Sequence, residues 1–411
     1  MKSKGNEETG LVPELRFGEF GGGWEPKNLG SVSDNFEYGL NKSAVPFNGS
    51  DKYIRITDID DKTNEFSPDP LMSPEGVHDD QYLLKEGDIV IARTGASVGK
   101  SYLFKKADGR LLFAGFLIRT SINENYSAPF IHLKLLTQSY WRYIQVVSMR
   151  SGQPGVNIGE LEKYEFFVPT LPEQRKIASF LSLVDRRLAA ARRRVGLLGA
   201  YKDGVVQRLF TGEIGVSDSG PEHEPTFLRG LLQERKERNE GSKYQEVFSV
   251  AKEAGVINQI EHLGRSYASD DISNYKVVHP GDVIYTKSPT SGFPFGIIKQ
   301  NQTGRIGVVS VLYAVYKPKT YELGTLLQNY FLSPVRTYNY LVPIVRKGAK
   351  NTMNVNNAEF LVARKVPVPP PAEQTRIATI LTTLDARLAL AEREVAGWEA
   401  WKRGLLGGML A

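Results

Sequence analysis

The chain has 411 residues, no cysteine, an apolar fraction of 41%, a charged fraction of 24% and a net charge of +6. That length favours two or three domains with cores of their own, and the lack of cysteine excludes disulfides and thiolate zinc sites. No apolar run approaches the ~18 residues of a membrane span, and Met1–Gly10 is polar, so no membrane partner and no signal peptide are expected. A reducing cytoplasm is the expected location. Mild basicity permits a nucleic-acid partner without demanding one.

From about Pro13 to Pro169 the chain is β-rich. Tyr53–Ile59 alternates and predicts a strand, Asp88–Thr94 a second, and Leu111–Arg119 a broken third. Asp58, Asp60 and Asn64 carry part of a calcium-loop spacing. Thr63 and Asp69 stand where the glycine and the bidentate glutamate belong, so no metal is expected. Gly95-Ala96-Ser97-Val98-Gly99-Lys100-Ser101 follows the second strand and resembles a nucleotide phosphate loop. It has one residue too few between its glycines, and Tyr102–Phe104 continues as strand where that loop needs a helix. Two other readings stay open. The turn could offer backbone N–H groups, Arg93, Thr94 and Lys100 to a DNA phosphate, or it could be a hairpin turn with solvated charges.

Helical character returns over Ala128–Val147, with Tyr140, Trp141 and Tyr143 at core-like spacing. Ser151–Asn157 then forms a loop. Its glycines and proline suit a turn. Gln153 and Asn157 have no folding reason to be there, and their amides suit adenine edges or phosphates. A Pro-rich lead, Val168–Pro172, opens a helix. Thr211–Pro225 reads as a linker, and Phe227–Asn239 as a short charged helix. A second β-rich segment runs from about Thr226 to Val366. Gly281-Asp282 before a strand repeats Gly87-Asp88, an aromatic helix recurs at Leu323–Tyr340, and an Asn-rich loop recurs at Asn351–Asn357.

The largest signal is an internal repeat. Residues 171–210 and 371–410 align without a gap at an offset of 200, so that Glu173-Gln174 recurs as Glu373-Gln374 and Asp185 as Asp385. Apolar residues step by four and three through Ile177, Leu181, Val184, Leu188, Ala191, Val195 and Leu198. Ile377, Leu381, Leu384, Leu388, Ala391, Val395 and Trp398 repeat the steps. This is a heptad seam, and at 1.5 Å per residue about 37 residues make a rod of roughly 55 Å. Each helix follows its own globular segment, so a pseudo-two-fold axis sets the two antiparallel, with Leu181 near Val395. The alternative is two amphipathic helices, each packed on its own domain.

The order of β-rich segment and Pro-x-Glu-Gln helix, stated twice, closely resembles the specificity subunits of Type I restriction–modification systems. Pro13-Glu14-Leu15-Arg16-Phe17, Gly87–Lys100, Ser151–Ile158 and Leu171–Ala178 carry the resemblance. It implies an α+β fold, with two similar mixed α/β target recognition domains joined by two long antiparallel coiled-coil helices. The domains span 1–170 and 226–369, the helical spacers 171–210 and 370–411, and the linker 211–225. Each domain would read one half of a split site in double-stranded DNA. The helices would set the gap and dock two modification subunits, and restriction/translocase subunits would join them. S-adenosylmethionine and ATP belong to those partners. In this chain the resemblance implies no cofactor, no metal and no catalytic residue. Candidate DNA contacts are Arg55, Arg93, Thr94, Ser97, Lys100, Gln153 and Asn157 in the first domain. In the second they are Lys252, Lys287, Ser288, Lys347, Asn351 and Asn354. Arg93-Thr94-Gly95 becomes Lys287-Ser288-Pro289 there, so loop contacts do not transfer between domains. A protein-only scaffold is the competing reading.

Overall fold

Hydrogen bonding between strands far apart in sequence builds the same frame twice. The computed structural model describes residues 11–76, 79–149, 152–215, 223–347 and 353–410. It divides into two units, Met1–Ala191 with Glu394–Ala411, and Arg192–Arg393.

In the first unit an antiparallel sheet has the order Ser33–Tyr38, Leu117–Ile122, Asp88–Ala92, Ser101–Leu103. All of Asp88–Ala92 is buried, so the strand reads as an apolar run without alternation. The strand expected over Tyr53–Ile59 stops at Ile54, because Arg55 and Asp58 form a capping box that turns the chain into a 3-10 helix. The helix expected over Ala128–Val147 is two, α1 (Ala128–Lys134) and α2 (Gln138–Ser148), broken where Thr137 caps the second. A short α3 (Ile158–Glu162) leads to Glu165–Val168, which pairs with Glu25–Asn28 and closes the domain. The chain then enters α4 (Leu171–Thr211).

The second unit repeats the plan. Its sheet order is Leu232–Glu234, Ala314–Pro318, Val283–Tyr285, Ile298–Gln300. Its closing pair is Glu224–Phe227 with Lys365–Val368. The charged helix expected over Phe227–Asn239 is absent. Its residues form the end of one strand, a 3-10 turn and the edge strand Leu232–Glu234, because pairing with Tyr316–Pro318 outweighs local helix preference. The helices are α5 (Gln259–Leu263), α6 (Tyr321–Tyr330), α7 (Pro334–Leu341), α8 (Asn357–Phe360) and α9 (Pro371–Leu410). Phe360 is stacked between Tyr285 and Tyr316, with ring centroids 5.1 and 4.9 Å away.

Both long helices are fixed to their domains by the repeated Glu-Gln. Arg16 binds the buried Glu173 through two hydrogen bonds of 2.7 Å. Gln174 donates to the Pro169 carbonyl at 2.8 Å and accepts from the Ser127 N–H at 2.9 Å. Gln374 donates to the Pro369 carbonyl at 3.0 Å.

Within the first unit, the start of α4 meets the end of α9. Ile177, Leu181 and Val184 share a core with Leu405, Met409 and Leu410, and Asp185 pairs with Lys402 at 2.6 Å. Leu181 therefore lies by the last turns of α9, further along than Val395. Lys134 donates to the Leu410 carbonyl at 2.7 Å and lies over the Trp24 ring. Within the second unit, Val206, Leu209 and Phe210 of α4 meet Ile377 and Leu381 of α9, and Lys202 pairs with Asp385. The pairing is antiparallel in both. A parallel pairing at the offset of the repeat would set Asp185 against Asp385 and Lys202 against Lys402. Leu188, Leu384 and Ala391 are buried, while Val195, Leu388 and Val395 are half-buried. Among the described residues, no helix is long and apolar enough to cross a membrane.

With no native cysteine to interfere, paired cysteines at Asp185 and Lys402, or at Lys202 and Asp385, should be joined efficiently by a short bismaleimide. Cysteines at 185 and 385 should not. Efficient joining of that last pair would establish a parallel register.

His132 of α1 is enclosed, and desolvation holds its pKa down at about 4 against an ordinary value of 6.5. The fold thus favours the neutral ring, and this contribution is present above pH ~6.5 and lost as pH falls toward 4. Its full size is on the order of 3 kcal/mol. Urea unfolding followed across that window should show stability falling with acid, and His132→Asn should flatten the fall. An equal slope in the variant would assign the acid sensitivity to other groups.

Candidate nucleic-acid interface

The two loops singled out in the first domain lie side by side. The strand ending at Ala92 runs into Arg93-Thr94-Gly95, and the loop before α3 returns beside it. Thr94 bridges Gly155, Gly95 N donates to the Pro154 carbonyl at 3.0 Å, and Val156 N donates to the Arg93 carbonyl at 2.9 Å. Gly95 has φ +78°, and a Cβ there would sit 3.2 Å from Gln153 Nε2. The positive φ favours glycine there, and a side chain would also crowd Gln153.

Arg93 is fixed through its Nε, which donates to the Gly115 carbonyl at 3.0 Å, and its guanidinium lies 4.9 Å from the Tyr38 ring centre. This geometry aims a cation while leaving it partly exposed. Gln153 is exposed, and Ser97 is half-buried at the turn. Tyr38 went unrecognised in the sequence. Its signal is its pairing with Ile118 in the strand after Gly115, a register that a single strand cannot reveal.

Three expectations in this domain are corrected. Lys100 points inward, where its ammonium donates to the Ile59 carbonyl at 2.7 Å and pairs with Asp61 at 2.6 Å. It is spent on the fold rather than offered to a phosphate. Arg55 holds the buried carboxylate of Asp58 through two hydrogen bonds of 2.8 and 2.6 Å, and that contact raises the guanidinium pKa further. Its role is charge neutralisation in the core. Asn157 does have a folding reason, since its side chain accepts from Glu160 N at 3.0 Å while Asn157 N donates to Glu160 Oε2 at 2.8 Å. It is the N-cap of α3, and the residue is exposed as well.

The nucleotide-loop reading also fails on geometry. The N–H groups of Gly95, Val98, Gly99 and Lys100 all donate to protein carbonyls, and the chain continues into strand Ser101–Leu103. No helix N-terminus faces a phosphate there.

In the second domain the corresponding loops also meet, by different means. Lys287 has φ +55° and donates to the Val355 carbonyl at 2.8 Å and to Asn357 Oδ1 at 2.5 Å. Burial lowers its pKa. Lys287 thus ties the loop after the central strand to the loop before α8, and its expected role as a free phosphate contact is corrected. Ser288 and Asn354 are exposed on these loops. Lys347 pairs with Met353 through the backbone. Its side chain and the whole of Asn351 lie outside the described residues. Lys252 is exposed at the tip of a separate hairpin, Phe248–Ala251 with Gly255–Asn258, and pairs with Glu253 at 3.3 Å. It is not brought together with the other candidates. Two residues the sequence did not flag stand near the paired loops. They are Arg346, paired with Glu359, and the partly exposed Tyr338, stacked on Phe295 with ring centres 5.1 Å apart.

Residues 22–195 match the model of the Type I restriction modification DNA specificity domain. A chain from Methanocaldococcus jannaschii, named as the specificity subunit of type I restriction enzyme MjaX, is 22% identical over 97% of this chain and 95% of its own length. The crystal structure of a Type I restriction-modification S subunit from M. genitalium matches the fold with a TM-score of 0.59 at 14% identity, covering 98% of this chain and 99% of that one. The HsdS subunit of Thermoanaerobacter tengcongensis aligns at a TM-score of 0.43 and 18% identity, over 95% and 97% of the two chains. Residues 22–195 thus match the Type I restriction modification DNA specificity domain, and along its length the chain is similar to specificity subunits of such systems.

Proposed function

We propose that residues 1–170 and 226–369 are target recognition domains, each reading one half of a bipartite, gapped DNA site. The helical stretches 171–210 and 370–411 fix the gap and dock two modification subunits, and 211–225 links the halves. Restriction/translocase subunits complete the assembly. Adenine methylation with S-adenosylmethionine and ATP-driven translocation belong to those partners, and this chain supplies sequence choice in the cytoplasm. One observation carries the reading. The same two loops converge at the end of the same central strand in both units, on one frame, with different side chains. A single frame with two sets of loop chemistry is what two different half-sites require.

In the first domain Arg93, Thr94, Ser97 and Gln153 are the proposed contacts, with Asn157 beside them. In the second they are Ser288 and Asn354, and Lys347, Asn351 and Lys252 remain candidate contacts. Arg93 would take a phosphate or a guanine, and the amides would read adenine. A scaffold that binds only proteins predicts no DNA affinity, and a gel shift of the chain with its modification subunits separates the two readings.

The loop geometry separates two cations of similar sequence position. Arg93→Ala should weaken DNA binding and lower the slope of log affinity against log salt by about one, whereas Lys100→Ala should leave the slope unchanged. Lys100→Ala should instead lower stability by about 1–3 kcal/mol, because it strips a buried carbonyl of its donor. Binding titrations over a salt series decide this, and a slope change in Lys100→Ala would reverse the assignment.

The spacer reading is tested by adding one heptad to each helix, between Arg193 and Arg194 and between Arg393 and Glu394. These positions are related by the repeat and lie between the two Asp–Lys pairs. Seven residues add about 10 Å of rise and preserve the seam. Methylated-adenine mapping in cells should show both half-site sequences retained and the gap between them longer. An unchanged gap would separate the helices from spacing.

A further inference from the structure

A single exposed apolar side chain means little on a protein surface. Two at the same register, one in each domain, call for a physical reason. In the first sheet Val90 pairs with Arg119, and in the second Ile284 pairs with Val315. Counting back from Arg119 and Val315 along the strands that hold them, Phe116 and Leu312 fall at the same position. They are 61% and 67% exposed. Both precede a central sheet strand, Leu117–Ile122 and Ala314–Pro318.

Neither tip is loose. Arg93 N donates to the Phe116 carbonyl at 3.0 Å, and Gly115 N donates to the Leu40 carbonyl at 2.8 Å. Arg93 Nε holds the Gly115 carbonyl. Gly39 allows this packing, since a Cβ there would lie 2.1 Å from the Ala114 carbonyl oxygen. In the second domain Lys276 Nζ donates to the Tyr313 carbonyl, next to Leu312, and Tyr313 N donates to the Ser310 carbonyl at 3.1 Å. A basic side chain thus clamps the backbone behind the exposed apolar group in each case. The hydrogen bonds that hold Arg93 also fix the backbone at Gly115 and Phe116.

We infer that Phe116 and Leu312 are apolar wedges that press into a base step of the first and second half-sites. Insertion of a rigidly presented apolar side chain between bases is how a protein unstacks one step of a duplex. A phenyl ring stacks on any base, so the wedge would favour deformable steps rather than particular base edges. The inference rests on the proposed DNA reading of these loops.

The test uses the chain with its modification subunits and a duplex carrying the mapped methylation motif, with 2-aminopurine placed at successive positions. The methylated adenine itself is left out, because its extrusion by a modification subunit would brighten the probe. The native complex should brighten 2-aminopurine several-fold at one step of the first half-site. Phe116→Ala should abolish that signal and weaken binding about tenfold, while Phe116→Trp should keep both. Leu312→Ala should act on the other half-site alone. If Phe116→Ala binds as tightly as the native complex with the same fluorescence, the wedge is overturned while the DNA reading stands. Should the variant fail to assemble with modification subunits yet leave the chain folded, Phe116 is a protein contact and the wedge is again overturned. A native complex that does not recognise the duplex would overturn both.

Discussion

An apolar seam running along a helix of 41 residues and another of 40 is the constraint from which the rest of the structure follows. Each buried aliphatic side chain on such a seam is worth about 1.5–3 kcal/mol, so it cannot remain in water. In the first unit Ile177, Leu181 and Val184 do more than pair with α9. They belong to the same core as Trp24, Phe130 and Tyr140. The two readings of the heptads, a helix pair or helices packed on their own domains, are therefore both present at once. A change to one seam residue disturbs the pairing and the domain together. The charges decide direction. Exposed ion pairs add little stability, but like charges forced together are disfavoured. Because Asp185 and Lys202 recur at the same offset, a parallel alignment repeats like against like, and the antiparallel one joins Asp185 to Lys402 and Lys202 to Asp385.

The repeated Glu-Gln has a matching explanation. A carboxylate at a helix start is favoured by the helix dipole. Glu173 is nevertheless buried, and the two hydrogen bonds from Arg16 offset that cost. Gln174 uses one end of its amide on the Pro169 carbonyl and the other on the Ser127 N–H. The pair welds strand, α1 and α4 into one body, so a movement of the long helix carries its domain with it. That rigidity suits the proposed role of the helices as a spacer.

The long helices, the buried Asp88–Ala92 strand and the division into repeats were legible because each leaves a periodic or self-similar signal. The failures share one cause. Periodicity cannot report which distant segment completes a strand, so Phe227–Asn239 read as a helix although Leu232–Glu234 pairs with Tyr316–Pro318. Nor does composition report where a polar side chain finds its partner. Lys100 and Arg93 flank one turn, yet one faces Asp61 and the Ile59 carbonyl while the other faces solvent over Tyr38. Asn157 looked free because its partner, Glu160, lies in a helix too short to show a pattern. Tyr38 and Phe116 escaped notice since their exposure depends on sheet register and on Gly39, not on their own neighbours in sequence.

The two domains also show why loop chemistry cannot be copied from one to the other. In the first, backbone groups hold the paired loops together, through the Thr94–Gly155 bridge and the Gly95 and Val156 N–H groups. Side chains on that frame are then free to change without loss of the fold. In the second, Lys287 at the position of Arg93 is itself the tie, bonded to the Val355 carbonyl and to Asn357. A cation used as a tie is partly desolvated and cannot also serve an incoming phosphate at full strength. On the proposed reading, recognition there falls on neighbours such as Ser288 and Asn354, which are exposed. One frame therefore carries two divisions of labour between holding and reading. On that reading a substitution at position 93 alters binding, whereas the same substitution at position 287 first removes the tie to Val355 and Asn357.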